Sequence, residues 1–243
     1  MVQVRLQKIL ADAGIASRRH CEELILEGAV TVNRKLVNEL PAFADPEKDV
    51  VAVNGKRIQS QSKVYFLLNK PKSVICTNSD PQGRTKAIDL IPCKERIFCV
   101  GRLDTDTTGA IILTNDSELC NRLTHPKYDL PKTYIVHLAG RIEGDTIEKV
   151  KKGIWLAEGK TGRAGIKVLK RNNTESLVEV TISEGRNRQV RRMFLKSGHK
   201  VKGLKRTHIG KMELKGIGVG KFRALTGKEI GYLKKVTEIS KAE

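Results

Sequence analysis

Ile97-Phe98-Cys99-Val100-Gly101-Arg102-Leu103-Asp104 reads as a short apolar strand, broken by a glycine and followed at once by an acid. That order puts Asp104 on a loop just past a buried strand, where a side chain can face a cleft. Downstream, Lys132-Thr133-Tyr134 opens another predicted strand with an aromatic hydroxyl. Further on, Glu184-Gly185-Arg186-Asn187-Arg188-Gln189-Val190-Arg191-Arg192-Met193 runs into a predicted helix with a cationic start. An acid, a phenol and a cluster of guanidinium groups predict a site for one polar, anionic substrate.

The charge balance agrees. The 243-residue chain carries a formal net charge of +19, which favours a polyanionic partner, nucleic acid above all. Residues 1–60 hold 9 Lys/Arg against 8 Asp/Glu, whereas residues 186–215 hold 11 basic residues and one acid, Glu213. The electrostatic footprint therefore lies in the C-terminal half. Aromatic residues make up only 4% of the chain, so stacking on bases must rely on few rings. A solvated basic face that serves only solubility is the plainer alternative.

The five cysteines, Cys21, Cys76, Cys93, Cys99 and Cys120, show no paired spacing and form no His/Cys quartet. They are expected to be small buried apolar residues of a reduced cytoplasmic protein. Nothing at the N-terminus resembles a signal peptide, and no apolar run approaches membrane-spanning length. With no long heptad, a monomer is the default expectation.

Organisation along the chain predicts a small module over 1–60 and a larger domain over 61–243, with Gln59-Ser60-Gln61-Ser62 as the linker. In the module, Leu6, Ile9, Leu10 and Ala13 recur at helical spacing; Ser17 is placed to cap a second helix that exits at Gly28. Val30–Val32 and Val51–Val53 read as strands, the latter entering the turn pair Asn54-Gly55. In the larger domain, strands are expected at 64–68, 97–100, 110–113, 134–138, 166–169 and 177–182. Helices are expected at 118–123, 145–152, 188–197 and 228–233. Strands and helices that interleave without regular alternation predict an α+β domain on a mixed or antiparallel sheet.

Two alternatives bear on Asp104. Counted from it, Asp104, Asp106 and Gly109 match part of a calcium loop, but position twelve is Asn115 rather than glutamate and the flanks read as strands. A turn-capping aspartate is the other. For Tyr134, a tyrosine in a strand is on general grounds more often core than functional. Arg18 and Arg19 occupy a first helical turn, where the helix dipole disfavours cations; a bound phosphate would relieve the conflict.

The residues from Leu6-Gln7-Lys8-Ile9-Leu10 through Gly28-Ala29-Val30-Thr31-Val32-Asn33 are similar to the S4 RNA-binding module. Gly101-Arg102-Leu103-Asp104, Thr107 to Asp116, Lys132-Thr133-Tyr134 and Glu184 to Phe194 resemble the RsuA/RluB family of ribosomal RNA pseudouridine synthases. His125-Pro126-Lys127-Tyr128 and the run after Glu184 look closest to the family's large-subunit, RluB-like branch. The resemblance implies an S4 domain followed by a catalytic domain, and a cytoplasmic isomerase that needs no cofactor. It also implies a substrate that is ribosomal RNA or a subunit assembly intermediate. Asp104 would be the catalytic carboxylate, Tyr134 would contact the target base, and Arg191 would be the cation that orients Asp104. Small-subunit RNA as target, or a non-catalytic assembly factor with the same fold, are the alternatives.

For RNA contact the expected set is Arg18, Arg19, Arg102, Arg186, Arg188, Arg192, Lys202, Lys205 and Arg206. Most of these would hold phosphates and so position the RNA, while Arg102 would support the strand from which the target nucleotide is turned out.

Overall fold

The chain forms two units in the computed structural model, which describes residues 3–239. The first comprises residues up to Val64 together with Cys93–Arg96 and Asn115–Ser117. The second comprises Tyr65–Pro92, Ile97–Thr114 and the chain from Glu118 onward.

The first unit contains β1 (Val4–Arg5), α1 (Leu6–Asp12), α2 (Arg18–Leu26), β2 (Val30–Val32), β3 (Lys35–Val37), β4 (Phe43–Ala44), β5 (Val51–Val53) and β6 (Lys56–Arg57). Leu6 and Leu10 from α1 meet Cys21 and Ile25 from α2 and Val30 from β2, all fully buried. Each large apolar side chain so buried contributes about 1.5–3 kcal/mol. Ser17 Oγ accepts the His20 N–H at 3.2 Å, capping α2 as its position predicts. The four-stranded sheet runs β3-β2-β5-β6. Asn54 and Gly55, both at positive φ, make the two-residue turn between β5 and β6.

In the second unit the strands are β7 (Tyr65–Lys70), β8 (Phe98–Cys99), β9 (Thr108–Thr114), β10 (Lys132–Ala139), β11 (Trp155–Leu156), β12 (Gly159–Lys160), β13 (Gly165–Arg171), β14 (Glu175–Ile182), β15 (Val201–Ile209), β16 (Met212–Glu213) and β17 (Phe222–Ala224). The helices are α3 (Ser117–Thr124), α4 (Gly144–Lys152), α5 (Gln189–Lys196) and α6 (Gly227–Ile239). The main sheet runs β13-β14-β10-β15-β9-β7-β17, with β16 and β8 attached at β15 and β9. Its neighbours are antiparallel except β15 and β9, which are parallel, so the sheet is mixed and the α+β class holds. Six of the seven residues of β9 are buried, as expected for a strand covered on both faces. Leu119 and Leu123 of α3 and Leu233 of α6 pack with Leu67, Ala110 and Ile112 on one of those faces.

Two expectations are corrected. β15, near the centre of the sheet, falls in a run read only for its charge; Leu204, Arg206 and Ile209 are buried while Lys202 and Lys205 are exposed. Among the cysteines only Cys21 is buried; the other four are half-buried. No helix among the described residues is long and apolar enough to cross a membrane.

Candidate active site

Backbone bonds hold the loop between β8 and β9 on both sides of Asp104. Gly101 opens it at φ +73°, and the buried Leu103 donates its N–H to Cys76 Sγ at 3.4 Å. The Thr107 N–H donates to the Asp104 carbonyl at 3.1 Å, and the Ser73 N–H donates to the Thr105 carbonyl at 2.9 Å. The Asp104 side chain keeps 30% of its surface open.

Arg188 supplies the cation beside that carboxylate, with Nη1 3.3 Å from Asp104 Oδ2 and 3.3 Å from Asp106 Oδ1. Arg191, expected beside Asp104, lies one carboxylate further on. Arg191 sets Nη2 3.1 Å from Asp106 Oδ2 and donates through Nη1 to the Val201 carbonyl at 3.3 Å. The cause is local: Arg188 is the N-cap of α5 in the left-handed region, φ +46° and ψ 32°, while Arg191 lies inside the helix. Burial works to raise the Asp106 pKa, but Arg188 and Arg191 outweigh it and hold this carboxyl below the ordinary range.

A hydrogen-bonded knot before α5 accounts for the strained cap. The buried Gln189 accepts the Arg186 N–H at 3.0 Å and donates to Glu184 Oε1 at 2.5 Å. Glu184 also accepts the Gly162 N–H at 2.8 Å and pairs with Arg186 Nε at 3.0 Å. The remaining nitrogens of Arg186 donate to the Gly159 and Lys160 carbonyls at 2.7 and 2.8 Å. The cationic motif thus divides: Glu184, Arg186 and Gln189 shape the loop, while Arg188 and Arg191 face the two carboxylates.

Tyr134, 7% exposed on β10, lies in register with Val180 on one side and Arg206 on the other. Arg206 in turn lies opposite Gly109 on β9. Tyr134 is therefore two strand spacings, roughly 10 Å, from the residue five positions after Asp104. Gly109 is a requirement of this packing: its φ is +108°, and a Cβ there would stand 2.1 Å from the Arg206 carbonyl oxygen.

The expected RNA-contact set is dispersed. Arg18, Arg19, Arg102, Lys202 and Lys205 are exposed. Arg186 is committed to the loop as above, and Arg192 Nη1 holds Glu158 at 2.8 Å. Arg206 is buried, its Nε donating to the Ala110 carbonyl at 2.7 Å, which removes it from the surface set.

Two further residues near the loop carry no expected role in the site. Lys70 is fully buried at the end of β7, donating to the Pro71 and Val74 carbonyls at 3.0 and 2.7 Å; burial lowers its pKa, opposed by Cys76, Cys99, Asp104 and Asp106 nearby. The only signal for it is a lone cation closing an apolar strand before a proline. Cys76 has a thiol pKa lowered to about 6 by the Cys99 thiol, against burial, with help from the Leu103 amide and Lys70. Among the described residues no three His, Cys, Asp or Glu side chains come together to hold a metal ion. The arrangement presents two open, cation-paired carboxylates, Asp104 and Asp106, on one hydrogen-bonded loop, a chemistry suited to a nucleophile or a base.

Residues 64–196 match the model of a family described as RNA pseudouridylate synthase, and residues 4–40 match the S4 domain. The chain is 44% identical over 240 residues to a ribosomal large subunit pseudouridine synthase B of Bacillus subtilis (strain 168), covering 98% of each chain. It is 43% identical to an uncharacterized RNA pseudouridine synthase of Aquifex aeolicus (strain VF5), covering 96% of this chain and 94% of the relative. A crystal structure of a pseudouridylate synthase superposes with a TM-score of 0.69 at 32% identity, covering 95% of this chain and 99% of that one.

Proposed function

Because this chain belongs to the RNA pseudouridylate synthase family, we propose that it isomerises one uridine of large-subunit ribosomal RNA to pseudouridine, with Asp104 as the reacting carboxylate. The observation that carries this reading is the open Asp104 side chain on its hydrogen-bonded loop, 3.3 Å from Arg188. The choice of large-subunit RNA rests on the name of the Bacillus subtilis relative.

In the reaction the bond from C1′ to N1 breaks, the uracil turns, and C5 bonds to C1′ as it loses its proton. Asp104 serves either by attacking C1′ to form a glycosyl adduct or by taking the 2′ proton to give a glycal. Tyr134 contacts the target base. Arg188 orients Asp104 directly, and Arg191 acts as a positioning residue through Asp106. The target nucleotide is turned out of its stack to reach the site, and Arg102 supports the displaced strand. Residues 1–60 form the S4 RNA-binding domain and 61–243 the catalytic domain of a cytoplasmic monomer that uses no cofactor.

The test is tritium release to water from ribosomal RNA labelled at uridine C5, with purified protein and no added cofactor. Release from large-subunit RNA by the native protein and not by Asp104→Ala supports the reading. Release from small-subunit RNA alone overturns the target, and unchanged release by Asp104→Ala overturns the role of the carboxylate.

A further inference from the structure

We infer that Trp155 is a stacking platform for an unpaired base of the RNA substrate, carried beside the active site on the β11–β12 hairpin. This rests on the function proposed above and extends it to a residue outside the catalytic set. Trp155 is the one tryptophan of a chain poor in aromatic residues, and 66% of its surface is exposed. An indole left in water on a rigid element is available to a planar partner, and every base offers a π face.

The hairpin is rigid at both ends. At its root Ile154 and Thr161 are buried and exchange two hydrogen bonds, Ile154 N–H to Thr161 Oγ1 and Thr161 N–H to the Ile154 carbonyl, each 2.9 Å. Gly153 admits that closure, since a Cβ there would stand 2.2 Å from the Thr161 carbonyl oxygen. At the tip, Arg186 holds the Gly159 and Lys160 carbonyls and Arg192 holds the Glu158 carboxylate. Both arginines belong to the segment that supplies Arg188 to Asp104. Arg188 and Arg192 are four residues apart, about 6 Å along α5, so one helical turn links the reacting carboxylate to the hairpin.

Charge selects the occupant. Trp155 lies directly opposite Lys160 in the hairpin register, which places ring and ammonium on one face. Lys152 and Arg163, close in sequence, are also exposed, Lys151 pairs with Glu148, and the hairpin's one acid, Glu158, is neutralised by Arg192. A ring flanked by cations matches a base with its phosphates and disfavours an acid-poor apolar protein surface.

The lone indole supplies its own readout. Full-length protein is titrated with a large-subunit ribosomal RNA transcript while tryptophan emission is followed, and affinity is measured independently by gel shift. Saturation is expected to quench the emission. Trp155→Ala is expected to weaken RNA affinity about tenfold, while Trp155→Phe, which keeps a ring, stays within about threefold of the parent. Because the side chain is exposed, both variants should melt with the parent, which keeps affinity loss separate from misfolding. Unchanged emission at saturation, or affinity of Trp155→Ala within twofold of the parent, overturns the inference. So does quenching that follows protein concentration without RNA, which would assign the ring to contact between copies. Tritium release measured on the same transcript reports separately on the proposed reaction.

Discussion

Arg188 approaches Asp104 to 3.3 Å from a left-handed backbone position at the N-cap of α5, and with the same nitrogen it reaches Asp106. One guanidinium therefore bridges two carboxylates that would otherwise repel, and Arg191 adds a second cation at Asp106. Removing it leaves Asp104 without its cation and frees its rotamer, while Arg191 still holds Asp106. Arg188→Asn is the informative change, because asparagine tolerates positive φ and spares the backbone. We expect turnover on RNA to fall about 10- to 100-fold, equivalent to about 1.4–2.7 kcal/mol of barrier. Arg191→Ala, which touches only Asp106 of the pair, should cost less; a larger loss of turnover in Arg191→Ala than in Arg188→Asn would reverse the assignment.

At Gly109 the backbone of Arg206 on the neighbouring strand leaves no room for a side chain. Gly109→Ala forces a methyl group to 2.1 Å from the Arg206 carbonyl oxygen in a backbone conformation that L residues rarely adopt. The parallel pairing of β9 and β15 must open, at a cost of about 2–4 kcal/mol. Urea unfolding should show a lower midpoint with a similar slope, and a loss under about 1 kcal/mol would mean that the strands accommodate the methyl by sliding.

The same pair explains which parts of the fold were legible in the sequence. Ser17, Gly28 and Asn54-Gly55 are local signals, and each performs the local task that its residue type dictates. β15 is not local. Lys202, Lys205 and Arg206 hide its alternation, because Arg206 satisfies its burial through the Ala110 carbonyl of another strand, and only Gly109 lets that strand come close. At the site, an acid after an apolar strand was readable at Asp104. That Arg188 stands within 3.3 Å of its carboxylate was not, since the contact depends on one left-handed residue held by the Glu184, Arg186 and Gln189 knot. Lys70 left no periodic signal, as a single cation at a strand end looks like any solvated terminus.

Cys76 is expected to be the most reactive thiol. With its pKa lowered to about 6 by the Cys99 thiol and assisted by the Leu103 amide and Lys70, it is largely thiolate at neutral pH. The sign is direct: a lower pKa brings the nucleophile in at lower pH. Labelling by iodoacetamide, followed at each cysteine by peptide mass spectrometry, should reach half its plateau rate near pH 6 at Cys76, against about 8.5 for an ordinary thiol. The adduct displaces the Leu103 N–H bond next to Asp104, so labelling should progress with loss of turnover. A Cys76 profile centred near 8.5 would remove the thiolate from this account.

Glu229 ties α6 to the sheet and should make the protein acid-sensitive. Its carboxylate accepts both terminal nitrogens of Arg223 at 2.8 and 2.7 Å and the Thr226 N–H at 2.8 Å, while Thr226 Oγ1 accepts the Glu229 N–H at 3.2 Å. That is a capping box completed by an ion pair to β17. Arg223 above all, against a smaller effect of burial, pushes the Glu229 pKa down to about 2. A carboxyl depressed in the folded state stabilises the fold above its unfolded pKa, near 4.3, and the contribution is lost as pH falls toward 2. With Arg223 35% and Glu229 21% exposed, solvent screening reduces the contribution to on the order of 1 kcal/mol. Thermal midpoints of parent and Glu229→Gln should therefore differ most at pH 7 and converge between pH 4 and pH 2, because acid removes from the parent what the substitution has already removed. A gap that stays constant across that range would show that Glu229 acts through its hydrogen bonds alone, with no share from its charge.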